Sequence, residues 1–92
     1  MSNPVALYAP STKISARIVD GQLIILRPGN DELLRFNEVA SFIWSILEQK
    51  PASIDHLVDQ VVEAFEIAPR VAHGDINTFL EEMIRQTLVI CD

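Results

Sequence analysis

The stretch GQLIILRPGNDELLRFNEVASFIW, residues 21–44, decides the fold. Residues 22–27 (QLIILR) are β-rich with apolar side chains on both faces, as suits the middle of a small sheet. Pro28, Gly29, Asn30 and Asp31 are turn chemistry. Residues 32–36 then form a short strand, with Leu34 and Phe36 on one side and Leu33 and Arg35 on the other. Asn37 is a good helix N-cap, and Glu38 behind it suits the positive end of the helix dipole. Val39, Ile43, Ile46 and Leu47 make the apolar stripe of a first helix that runs to about Gln49, with Phe42 and Trp44 adding bulk to its core side. The short strand is thereby left as a sheet edge beside helical surface, where another peptide can add itself as a strand.

Upstream, residues 13–19 alternate, with Ile14, Ala16 and Ile18 on one face. The Asp20-Gly21 pair that follows is a two-residue hairpin signal, because both central positions of a type I′ turn need positive φ. Residues 1–12, with Pro4, Pro10 and Ser11, read as an irregular lead-in packed through Leu7 and Tyr8. Downstream, Lys50-Pro51-Ala52 breaks the first helix. Ser53 caps a second, whose Ile54, Leu57, Val58, Val61, Val62 and Phe65 keep the i, i+3, i+4 pattern. Pro69 marks the end of the next linker. A third helix is expected from Val71 or Asp75 to about Thr87, burying Ile76, Phe79, Leu80, Met83 and Ile84. The apolar tail, residues 88–90, is expected to pack back on the core. Three strands followed by three helices predict an α+β, winged-helix-like domain over residues 13–92, with a three-stranded antiparallel sheet at its N-terminal end.

At 92 residues and 49% hydrophobic, the chain suits one modest core. Its apolar runs are too short to span a bilayer, and residues 1–8 do not resemble a secretory signal. With Cys91 as its single cysteine, no internal disulfide can form. A cytoplasmic setting is the expectation. Charge is uneven: residues 1–37 hold four basic and three acidic side chains, whereas residues 38–92 hold three basic and ten acidic. A winged-helix DNA-binding regulator would need a basic recognition helix. The third helix sets only Arg70 and Arg85 against Asp75, Glu81 and Glu82, so nucleic acid is excluded as the expected partner. A small structural subunit using the same sheet edge is the other reading.

Catalytic chemistry is not signalled. Gly21, Gly29 and Gly74 are scattered, so no phosphate-cradling loop can be drawn. His56 and His73 stand apart, with no Cys or carboxylate at metal-ligand spacing, and read as solvated. Asp55, Asp59 and Glu63 line the polar face of the second helix without an evident cleft. The chain is expected to be no enzyme, with no catalytic residue, metal or cofactor.

The ordered set Gly21, Leu26, Pro28, Phe36-Asn37, Ala40, Ile43-Trp44, Ile54, Leu57, Phe65, Asp75-Ile76, Phe79-Leu80 and Met83 resembles the PqqD-like family of RiPP precursor peptide recognition elements. The resemblance covers residues 13–90. It departs at Glu48-Gln49-Lys50, where the family often has Asp-Gly, and at Thr87-Leu88, where it often has Gly-Leu. The Phe-Asn … Ile-Trp wording is more similar to the free-standing domains of lasso-peptide biosynthesis than to the pyrroloquinoline quinone protein. Such domains bind the leader segment of a ribosomally made precursor as an extra strand and present it to a separate maturation enzyme, cysteine-protease-like or radical. The resemblance implies a peptide-binding strand of Glu32, Leu33, Leu34, Arg35 and Phe36. It implies a helix face of Asp75, Phe79, Glu82, Met83 and Gln86. Apolar pockets near Phe79 and Met83 would select leader side chains, with Leu33 or Leu34 as the strand-side wall (Leu34 as plain core is the alternative). Asp75 and Glu82 would read a basic leader residue.

Overall fold

The computed structural model describes residues 6–12, 14–26 and 32–92. The expected turn at 28–31, and the strand ends at Lys13 and Arg27, lie outside the described residues. The elements run β1 (Tyr8–Pro10), β2 (Ser15–Val19), β3 (Gln22–Leu26), β4 (Leu33–Arg35), α1 (Glu38–Gln49), α2 (Ile54–Phe65), α3 (Pro69–Arg85) and β5 (Val89–Cys91). The fold is the expected small α+β arrangement, with an antiparallel β2–β3–β4 sheet followed by three helices. Among the described residues, no helix is long and apolar enough to cross a membrane.

The hairpin between β2 and β3 turns on Asp20 and Gly21, both at positive φ (53° and 78°), as a type I′ turn requires. Register pairs Ala16 with Ile25 and Ile18 with Leu23, then Ile25 with Leu34. Leu23 and Ile25 are fully buried, so this face of the central strand is the floor of the core. Asn37 caps α1, its side chain accepting from the Ala40 N–H at 2.8 Å. One turn on, the buried Ser41 does what apolar periodicity could not announce. Its hydroxyl donates to the Asn37 carbonyl (2.8 Å) and accepts from the Leu23 N–H (2.6 Å), tying the start of β3 to α1. The Phe36 N–H donates to the Leu23 carbonyl at 3.0 Å, closing the β3–β4 ladder on its helical side.

Trp44, Ile43 and Leu47 of α1 meet Leu57 and Val61 of α2 and Ile76, Leu80 and Met83 of α3 in one core, and Phe42 packs edge-on against Phe65 at 5.3 Å. Ser53 caps α2 through the His56 N–H (3.1 Å). The third helix begins at Pro69, earlier than the expected Val71 or Asp75. Proline is suited to the first helical turn, where its missing N–H has no partner to lose. Its buried side includes Ala72, while Ile84, expected inside, is 38% exposed.

The N-terminal segment also differs from the expected irregular lead-in. Residues 8–10 are a strand, paired antiparallel with β5 in the register Tyr8–Cys91, Ala9–Ile90 and Pro10–Val89. On its other side, Tyr8 exchanges backbone hydrogen bonds with Ala52 (2.8 and 3.0 Å). The folded unit therefore reaches back to Tyr8 rather than beginning at residue 13. Three-residue strands with a proline carry too little alternation to be read from sequence. Of the tail, Leu88 and Val89 are buried, but Ile90 faces outward.

Candidate functional site

β4 is the last strand of its sheet. In an antiparallel ladder, successive residues direct their backbone groups to opposite sides. The Phe36 N–H points into β3. By that alternation Leu34 also faces β3, while the N–H and C=O groups of Leu33 and Arg35 point away from the sheet. Side chains alternate perpendicular to this: Leu34 and Phe36 lean toward the core, and Leu33 (56% exposed) and Arg35 toward solvent. Glu32 is exposed just ahead of the strand.

α3 approaches the end of this strand through an edge-on contact between the rings of Phe36, the residue after β4, and Phe79 (6.1 Å, 87°). Where the N-terminal end of α1 meets α3, a concavity of about 360 Å³ opens, lined by Asn37, Val39, Ala40, Ile43, Asp75, Thr78 and Phe79. Asp75 and Phe79, which the resemblance implied for the peptide-binding face, both line this concavity. The α1 side and Thr78 were not among the expected residues, because nothing in a stripe of core-type residues tells that its upper end is left uncovered.

The expected residues do not form one uniform groove. Asp75 and Phe79, one turn apart on α3, face the concavity together. Farther along, both oxygens of Glu82 are occupied: Oε1 by the Arg85 guanidinium, Oε2 by the Gln86 side-chain amide at 2.7 Å. Gln86 Oε1 is buried with no hydrogen-bond partner among the described residues. Asp75 makes no ion pair with a described residue, so it is the better-placed carboxylate for a cationic visitor. Met83 is a correction. It is fully buried in the core cluster and presents no surface to a peptide. The resemblance placed Met83 with Phe79 on the peptide-binding face, but α3 packs against α2 and β5, and Met83 lies inside the core cluster.

No group of three or more His, Cys, Asp or Glu side chains among the described residues could hold a metal ion. His73 Nδ1 lies 3.0 Å from the Asn77 side-chain amide on an exposed helix face, and His56 is exposed. Cys91 is exposed on β5, far in sequence from both histidines.

The small α+β fold of antiparallel strands followed by three helices is shared with two solved structures. One is "TbiB1 in Complex with the TbiA(beta) Leader Peptide", at TM-score 0.79 and 20% identity, covering 88% of this chain and 93% of that one. The other is "Lasso peptide synthetase B1 complexed with the leader peptide", at TM-score 0.77 and 17% identity, covering 90% and 96%. Among curated proteins nothing matches. Residues 22–89, from β3 through the start of β5, match the family described as coenzyme PQQ synthesis protein D (PqqD). That span holds the open strand, the capped α1 and the whole of α3, and by it the chain belongs to the PqqD family of RiPP recognition elements, generally non-catalytic peptide-binding domains.

Proposed function

We propose that this chain captures the leader segment of a ribosomally synthesised precursor peptide by strand addition and presents it to a separate maturation enzyme. The observation that supports this best is the edge of β4: the backbone groups of Leu33 and Arg35 turn outward beside a concavity floored by Phe79 and walled by α1. Backbone pairing supplies affinity that tolerates sequence variation, and every second side chain of the added strand faces the helices, where shape and charge select it. Asp75 at the concavity favours a leader residue with a cationic tip and an apolar stem. Leu33 faces away from the core side of the sheet, so β4 would offer the leader its backbone edge, with Phe36 reaching the site through its ring contact with Phe79.

A lasso-peptide leader, handed to a cysteine-protease-like subunit, fits better than a pyrroloquinoline quinone precursor handed to a radical enzyme. Both structural neighbours named above are leader complexes, one of them of a lasso synthetase. Calorimetric titration with one leader of each type tests this. Saturable 1:1 binding of the lasso-type leader, at least about tenfold tighter than the other, is the expected result. Absence of binding by either would remove leader capture as the function.

A further inference from the structure

We infer that the outer face of the β2–β3–β4 sheet docks a partner protein whose contact surface is apolar and rimmed by carboxylates, and that a bound leader enlarges this face and strengthens docking. The second half presupposes strand addition on β4; the first does not.

A three-stranded antiparallel sheet with one face on a core is expected to turn polar side chains to water on the other. This one does not. By the register, Ile24 and Leu26 of β3 and Leu33 of β4 share the outer face, with Leu26 directly opposite Leu33. Leu26 and Leu33 are 40% and 56% exposed, and Val19 at the hairpin end of the same face is 49% exposed. Contiguous apolar side chains on a sheet face mark an interaction surface rather than scattered surface hydrophobes.

The charge on this face selects the occupant. Arg17 and Arg35 flank Ile24 from the two neighbouring strands, making a cross-strand Arg–Ile–Arg row. Neither arginine makes an ion pair with a described residue. The strand positions of this face hold no carboxylate, although the chain as a whole carries a net charge of −6. A second copy stacked on this face would bring Arg–Ile–Arg against Arg–Ile–Arg, an unfavourable pairing of like charges. A membrane is disfavoured by the net negative charge of the chain, −6. An apolar protein surface with an acidic rim answers both features.

The leader enters through geometry. A strand added to β4 continues the sheet, and its alternate side chains point to the outer face, beside Leu33 and Arg35. A partner on that face then touches both recognition domain and leader, so the two bind cooperatively.

The test uses the whole chain, isotopically labelled, with the leader protease of a lasso-peptide pathway and that pathway's leader peptide as probes. Leader binding is measured first and alone. Protease added next is expected to shift the amides of Arg17, Ile24, Leu26 and Leu33, and to bind about tenfold more tightly when the leader is present. Arg17→Glu and Leu26→Ser should each weaken protease binding about tenfold or more, with leader affinity unchanged and the hairpin amide pattern preserved. Protease shifts confined to the acidic α2 face (Asp55, Asp59, Glu63), no protease binding, wild-type protease affinity in Arg17→Glu, or concentration-dependent dimers through this face would overturn the docking surface. Protease docking on Ile24 and Leu26 without any leader binding would support the face and sink strand addition instead.

Discussion

Thr87 holds a conformation that its side chain resists. The α3 helix ends with the Leu88 N–H on the Met83 carbonyl (2.8 Å) and the Thr87 N–H on the Ile84 carbonyl (2.9 Å), the two bonds of a Schellman cap. Thr87 sits at φ 59°, where a β-branched residue is strained and glycine is not. Thr87→Gly is therefore expected to stabilise the domain by roughly 0.5–1 kcal/mol, read as a higher denaturation midpoint at unchanged slope. Lower stability would show that the strain is already relieved. Tyr8 offers a second residue-scale test. Burial first, and a hydrogen bond to Cys91 second, push its phenol above the ordinary value of 10.0. Its contribution to stability is complete below pH 10; as pH rises the unfolded chain ionises first, and the contribution is lost as pH climbs through the raised folded value. Tyr8 is the chain's one tyrosine, so an ultraviolet titration reports it alone. Cys91→Ala should move that titration downward; no movement would exclude the Cys91 contact as a cause. At Met83 the expectation is loss of fold. Met83→Asp buries an unpaired charge in the core, which costs several kcal/mol out of a total of about 5–15. Collapse of the circular dichroism transition is the result to look for. A folded mutant deficient only in peptide binding would return Met83 to the groove.

Among the elements, β4 is short, yet its consequences were the most legible. Turn residues on one side and an Asn-Glu cap on the other left residues 32–36 as a strand, and the structure ends its sheet there. Arg35→Pro removes an N–H that points outward, so an edge strand should tolerate it. Folding is expected to persist while leader affinity falls about tenfold, one backbone hydrogen bond and a steric clash being lost. Full affinity in a folded mutant would place the peptide elsewhere. The helices were readable because amphipathic stripes in α1 and α2 run over three turns each, enough for periodicity to be unambiguous. β1 and β5 were not. Each is three residues long, and each exists because of its partner some eighty residues away, which no local pattern encodes. The start of α3 was missed for a different reason: Pro69 was read as the end of a linker when it is the first residue of the helix.

On the scale of the whole molecule, the chain separates its chemistry by surface. Acidic side chains gather on the helices, including Asp75 at the concavity, while Arg17 and Arg35 lie on the outer sheet face. β4 belongs to both regions, its edge carrying the outward backbone groups of Leu33 and Arg35 and its outer face their side chains. The α+β outline followed from the order of elements. The depth of the site did not, because burial of Met83 and exposure of the α1–α3 concavity depend on how the helices roll against one another. The central claim is that a leader pairs with the β4 backbone. Amide hydrogen exchange at Leu33 and Arg35, with and without a saturating lasso-type leader, tests it most directly. Strand addition predicts marked slowing at one or both of these residues and little change at Leu34, whose N–H already faces β3. A leader that binds while Leu33 and Arg35 exchange as fast as before would contradict it.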